Sequence, residues 1–350
     1  MRILEASCFF FTILYIAMVI CGCTAGKTAP GAVKGVLDLS GWDFEKNGTV
    51  ELGGQWTFYP NRLLAPEDFH EGEATPPPLY VNLPNLWKSH VADGAVMPPR
   101  GVATYRLTVK VKPEASRLAL MIGRPLSVAR VWVNGRPLGQ TGAVGIDPQS
   151  EAPRDHLLLR SFDHSGDSLS LVVQVSNHHN MQGGLNDPIL LGSETALQRK
   201  VRQGYIVTAF LCGGLFIMAV IHLLLFLLRR TEIANLYFGL YCLLQSMGRM
   251  AGDTRVSLLE IVLPGLPWRA GIDLTIVPMI VSIPFLVMLY QALFPWKHGR
   301  AVQRFYGVAA ALLMMYVALT PPNAYDPVVM IFVGVALTAF PYLFYRFMLD

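Results

Sequence analysis

Hydrophobic and polar residues follow two different patterns along this chain. Up to about Gln203 the apolar residues come in short alternating runs, and from Gly204 onward they come in long blocks separated by short polar loops. In Ala103–Val111, Tyr105, Leu107, Val109 and Val111 share one face, and Thr104, Arg106, Thr108 and Lys110 share the other. That period of two predicts a strand with one face buried, because successive side chains of a strand point to opposite sides. Arg117–Ile122 and Val128–Val133 read as the next two strands, and the second runs into Asn134-Gly135, a pair that tolerates positive φ and suits a tight hairpin. Ser168–Val175 alternates again, while Gln55–Tyr59 and Leu79–Leu83 are earlier strands separated by Pro76-Pro77-Pro78. Short strands at intervals of about ten residues predict an all-β sandwich.

The second pattern predicts membrane helices. Five apolar blocks lie near Ile206–Leu228, Ile233–Met250, Ile272–Leu293, Phe305–Thr320 and Val328–Leu349. A helical span needs about 20 apolar residues; the first, third and fifth blocks meet this, and the other two are shorter or more polar. His222, Gln245, Arg249 and Asp273 are polar positions that could couple helices, and Pro278, Pro284 and Pro341 could kink them. Arg229, Arg230, Lys297, Arg300, Arg304 and Arg346 fall on the side away from an exported N-terminal domain, as the positive-inside rule expects. Arg199, Lys200 and Arg202 run against it, which a long translocated domain can override. Tyr237, Trp268, Tyr290, Trp296 and Tyr342 stand near the expected interfaces, like an aromatic belt.

The first residues look like an export signal. Arg2 precedes an apolar run, Cys8–Ile20, followed by the small residues Gly22, Ala25 and Gly26. Ile20-Cys21-Gly22-Cys23 resembles a bacterial lipobox, making Cys23 a candidate lipidation site; an uncleaved signal anchor is the alternative. The chain therefore divides into a signal or anchor at 1–26, an extracytoplasmic domain at 27–203 and helical spans at 204–350.

Composition narrows the function. Only 15% of the residues are charged and 53% are hydrophobic, against roughly 25% charged in a soluble domain. The net charge of +4 is scattered, with no basic stripe interleaved with aromatics, which argues against nucleic acid as a partner. None of the five cysteines falls between Thr24 and Leu211, so the exported domain folds without disulfides, and no paired spacing points to a metal or other cofactor. Candidate ligand contacts are Asn177, His178, His179 and Asn180, in a polar loop followed by Gly183–Asn186, and Trp132, which could stack on a sugar ring. Adjacent histidines at a strand end point to opposite sides, so the pair makes no metal site without a third ligand. Asp147, Glu151, Asp155, Asp163 and Asp167 offer no pair recognisable as a glycosidase acid and base, and read as solvated loop charges.

Asp38–Phe44, Gly53–Tyr59, Leu83–Trp87, Gly101–Leu107, Val131–Gly135 and Val175–His178 occur in an order that resembles the jelly-roll ectodomain of bacterial seven-transmembrane receptors with diverse intracellular signalling modules (7TMR-DISM). Leu223–Arg230 with Asn235–Tyr241, and Ala292–Pro295, resemble that family's helices. The ectodomain is similar in turn to the sugar-binding jelly roll of the β-galactosidase and β-glucuronidase group. The resemblance implies an all-β jelly-roll sandwich followed by an α-helical transmembrane bundle. It also implies a receptor in the bacterial inner membrane, not an enzyme, with the N-terminal domain in the periplasm. Its partners would be a small-molecule or carbohydrate ligand, the lipid bilayer and a cytoplasmic signalling partner or output domain. The family has seven helices and then an output module, whereas this sequence shows about five spans. A transporter or channel, or a membrane-tethered glycan enzyme, is the alternative.

Overall fold

The structure is a computed structural model that describes residues 29–349, apart from 70–76, 93, 114–115, 124–126, 155, 253–255 and 296. The proposed signal and Cys23 lie outside the described residues. Eleven principal strands follow one another: β1 (Val36–Asp38), β2 (Val50–Glu51), β3 (Gly54–Pro60), β4 (Leu79–Leu83), β5 (Gly101–Lys110), β6 (Ser116–Ile122), β7 (Val128–Val133), β8 (Arg136–Gln140), β9 (Leu158–His164), β10 (Ser168–Asn177) and β11 (Leu190–Ser193). One sheet has the order β8-β7-β10-β5-β3-β4, with β1 parallel beside β5; the other has the order β9-β6-β11-β2. Between them lies one core containing Leu37, Trp56, Phe58, Tyr105, Leu107, Val109, Leu120, Val131, Leu171 and Val173, all at most 1% exposed.

The expected alternation in β5 holds on the inner face, where Tyr105, Leu107 and Val109 are fully buried. Thr104, on the outer face, is fully buried too. The chain at 61–65 folds over it, so its hydroxyl donates to the Arg62 carbonyl and accepts from the Leu64 amide, both at 2.8 Å. The Asn134-Gly135 hairpin forms with φ of 50° and 77°, the left-handed values such a turn requires. Buried indoles find acceptors, as buried polar atoms must: Trp56 Nε1 donates to the Leu52 carbonyl and Trp87 Nε1 to the Tyr105 hydroxyl, each at 2.8 Å.

Six helices follow: α1 (Glu194–Leu228), α2 (Ile233–Ala251), α3 (Leu258–Val262), α4 (Trp268–Leu293), α5 (Gly299–Leu319) and α6 (Asp326–Leu349). By length and composition α1, α4 and α5 can cross a membrane. The second sheet leads straight into α1. Ser193 ends β11 and caps the helix, its hydroxyl accepting from the Ala196 amide. From there α1 continues without a break for 35 residues, about 52 Å at 1.5 Å per residue. Leu197 and Val201 of its first turns pack on Ala119, Met121 and Leu190, the outer face of the second sheet. Arg117 Nε pairs with Glu194 at 3.0 Å beside this contact.

Polar positions among the helices tie neighbours together. His222 Nδ1 lies 2.9 Å from Asn235 Oδ1, joining α1 to α2. Ser246 donates to the Cys212 carbonyl at 2.9 Å. Asp273 sits near the start of α4, where its Oδ1 accepts from the Tyr325 hydroxyl at 2.8 Å.

Candidate functional site

The two halves of the molecule meet on a polar face, and the loop singled out in the sequence forms part of it. Asn177 ends β10 at 1% exposure. Its Nδ2 donates to the Pro99 and Asn180 carbonyls at 2.6 and 3.1 Å, and its Oδ1 accepts from the Asn180 amide at 3.1 Å. The buried Asn180 accepts from the Met181 amide at 2.8 Å. These amides hold the loop in shape. Gly183 behind them lies flat against Trp87, where a Cβ would run into the indole and the Pro99 carbonyl.

So fixed, the loop meets the helices. The His178 carbonyl accepts from Asn323 Nδ2 at 3.1 Å, and Gln182 Nε2 donates to Asp326 Oδ1 at 3.2 Å. Met181 packs into an apolar cluster of Ile276, Ile280, Leu313, Val317, Tyr325 and Val328. The His179 ring stands edge-on to Trp268, 6.4 Å between centroids. Trp268 opens α4 and touches the sandwich at this point. Further along, His156 Nδ1 lies 2.6 Å from Glu260 Oε1 on α3, a second bridge between the halves.

The structure gathers the loop residues but not Trp132. Trp132 lies half-buried on the outer face of β7, paired with Val172, with Arg130 stacked 5.8 Å above its ring. Asn177 is five residues further along the same neighbouring strand, about 17 Å away at 3.4 Å per residue.

The carboxylates divide. Asp147 is exposed and bound by Ser150 and Gln149, and the Ser150 hydroxyl holds its carboxyl below the usual carboxylate range. Glu151 departs from the expected solvated charge: it is 6% exposed, and its Oε1 accepts from the His178 amide at 3.0 Å. A carboxylate inside the domain thus anchors the docking loop from behind. Asp155 lies outside the described residues. Among the described residues no group of three metal-binding side chains occurs.

Beside these contacts a cleft of about 810 Å³ opens between sandwich and helices. Gln140–Ala143, Ala152–Arg154, His156 and Arg160 form one wall; Ser257, Leu259, Glu260 and the 263–271 segment form the other. Sequence reasoning missed it, since its walls come from strand ends, helix starts and loops far apart in the chain, and the space exists only once the two parts meet.

A β-sandwich resting on apolar helices of membrane-crossing length defines a membrane protein with a folded domain outside the bilayer. Residues 204–349 match the family model described as 7TM diverse intracellular signalling. The helical part of this chain is thus similar to that transmembrane signalling family. Among solved structures, the chain is similar to the GH2 β-galacturonidase of Eisenbergiella tayi bound to glycerol, at 17% identity over 41% of this chain and 24% of that one, with a TM-score of 0.29. It is similar to the β-glucuronidase of Ruminococcus gnavus in complex with uronic isofagomine, at 15% identity over 41% and 28%, TM-score 0.30. The β-glucuronidase of Faecalibacterium prausnitzii gives 15% identity over 41% and 31%, TM-score 0.30. This chain spans less than a third of those enzymes, and at such scores no activity carries over. No curated protein matches the chain.

Proposed function

We propose that the protein is a transmembrane sensor. Its domain at 27–203 receives an extracytoplasmic ligand, and its helices at 204–350 relay occupancy to a cytoplasmic signalling partner. In this reading residues 1–26 direct export, Cys23 carries a lipid, and the sandwich faces the periplasm from the inner membrane. The ligand is a small hydrophilic molecule of the carbohydrate class, and the domain binds it without cleaving bonds. The observation that carries the reading is α1, which runs unbroken from its cap on β11 into the membrane. A helix packed on the sheet at Leu197 and Val201 moves with the sheet, so a shift of the sandwich reaches the bilayer as a tilt or rotation of a rigid rod. The loop at Asn177–Asn180 acts as the second lever, through Asn323 and Asp326.

Hydrogen exchange of the full chain in nanodiscs, with and without a panel of mono- and oligosaccharides, tests this. A compound that protects the sandwich should also change exchange at Arg229–Glu232, the turn at the far end of α1. Protection confined to the sandwich would leave a binding module without transmission and defeat the sensor reading.

A further inference from the structure

We infer that the cleft between sandwich and helices is the ligand site, and that it takes a small polyhydroxylated carboxylate of the sugar-acid class. This deepens the sensor reading and rests on it for its consequence, but not for the chemistry of the site. A volume of about 810 Å³ falls in the range of small-molecule sites, roughly 300–1,000 Å³. Among the described residues the free charge within it is one-sided. Arg154 and Arg160 reach it from the sandwich, and among the described residues neither is in an ion pair. Arg160 only donates from Nη1 to the neighbouring Leu159 carbonyl. The cleft's described acidic side chain, Glu260, is engaged by His156 at 2.6 Å. Two guanidinium groups with no carboxylate paired to them among the described residues favour an anion, and their planar fork of donors matches a carboxylate in particular. The uncapped first turn of α4 lies on the same cleft and adds in the same direction.

The rest of the lining argues for hydroxyls over a bare ion. Trp268 presents an indole to the cleft, an apolar surface suited to the C–H face of a ring, while the Gln140 amide and the His156–Glu260 pair offer donors and acceptors around it.

The position of the site explains how binding would signal. A ligand shifts a conformational equilibrium only by binding two arrangements unequally. A ligand held by Arg154 and Arg160 on one wall and Trp268 on the other touches both halves, so its affinity depends on how they are set against each other. A site within the sandwich alone would bind equally well in both arrangements.

The test uses the full chain in nanodiscs, since the sandwich alone lacks one wall. Binding of D-galacturonate, D-glucuronate and gluconate is measured by calorimetry and by melting, against galactose, glucose and inorganic phosphate. At least one sugar acid should bind, its neutral counterpart should bind much more weakly, and Arg154→Gln or Arg160→Gln should each weaken it about tenfold or more. Both arginines are exposed, so the unliganded melt should be unchanged, which separates lost binding from lost folding. Equal binding of sugar acid and neutral sugar overturns the anionic assignment. Phosphate binding as well as the sugar acids overturns the sugar-acid class. Sugar-acid binding untouched by either arginine change places the site elsewhere, and no binding by any of the three overturns the proposal. The exchange experiment at Arg229–Glu232 stands apart from these. Arginine-dependent binding without a change there upholds the site and defeats the sensor. Transmission by a compound that ignores both arginines does the reverse.

Discussion

His90 shows how a single side chain can hide its role in a sequence. It sits at 3% exposure, with its ring edge-on to Phe58 at 5.3 Å and to Tyr105 at 6.4 Å between centroids. Its Nε2 has no hydrogen-bond partner among the described residues. Burial in this aromatic setting disfavours the charged ring and pushes its pKa below the ordinary value of 6.5. The unfolded chain therefore takes up a proton at a higher pH than the folded one. The stability His90 contributes is complete above about pH 6.5 and is lost as pH falls toward the lower folded value. Melting of the full chain between pH 8 and pH 5 should show a decline that His90→Phe makes shallower; an unchanged slope would place the sensitivity elsewhere. Gly183 is a second case. The sequence suggested a loop that bonds hydroxyls, yet the glycine is there because Trp87 and the Pro99 carbonyl leave no room for a side chain. Gly183→Ala should destabilise the sandwich by about 1–3 kcal/mol, read as a lower melting midpoint with the helices unaffected. Asn177 and Asn180 were legible as polar loop residues. That their amides face inward was not, because residue type does not tell which way a loop closes.

Among elements, the strands that were easy to read are those with one buried face. Tyr105, Leu107 and Val109 alternate with polar residues, and β5 lies where the pattern put it. Strand β6 was also legible, for a different reason: Leu118, Leu120 and Ile122 face the core while Ala119 and Met121 face α1, so it reads as a continuous apolar run. Strands β9 and β11 escaped the pattern. Leu158–His164 mixes faces, and Leu190–Ser193 is too short to show a period. The five apolar blocks all became helices, but α1 begins twelve residues before its apolar block, at Glu194. Those residues are largely polar and charged and show no apolar block; Leu197 and Val201, at helical spacing, are the available sign. The continuity of α1 can be broken without touching packing, since Gln203 is exposed. Gln203→Pro removes the hydrogen bond to the fourth preceding carbonyl and should cost about 3 kcal/mol locally. Faster exchange is expected over 199–207, and any ligand-driven change at Arg229–Glu232 should disappear while binding persists. If the far turn still responds, α1 is not the route.

At the scale of the whole molecule, what matters is how the sandwich sits on the helices, and no stretch of sequence encodes that by itself. Trp268 reads as one of a belt of interfacial aromatics; in the structure it meets His179 and lines the cleft. Asn323 and Asp326 lie between α5 and α6 and at the start of α6, where Asn323 donates to the His178 carbonyl and Asp326 accepts from Gln182. Each contact pairs residues at least 89 positions apart, so local periodicity carries no trace of it. The seating of the 178–182 loop on the helices should nevertheless be separable from the folding of either half, because this contact rests on a few hydrogen bonds around one apolar side chain, Met181. Met181→Lys would leave an ammonium among Ile276, Leu313 and Val328 or force the loop off the helices, and release costs less than burying an unpaired charge. Asn323→Ala removes one hydrogen bond, worth about 1 kcal/mol. Hydrogen exchange over 178–184 should then rise modestly in Asn323→Ala, by roughly fivefold for that energy, and much more in Met181→Lys. The core strands β5 and β10 should keep wild-type protection in both. If Met181→Lys instead loosened the core strands, the loop would be part of the sandwich's own stability, and the two halves would be one cooperative unit with no hinge for a ligand to bias.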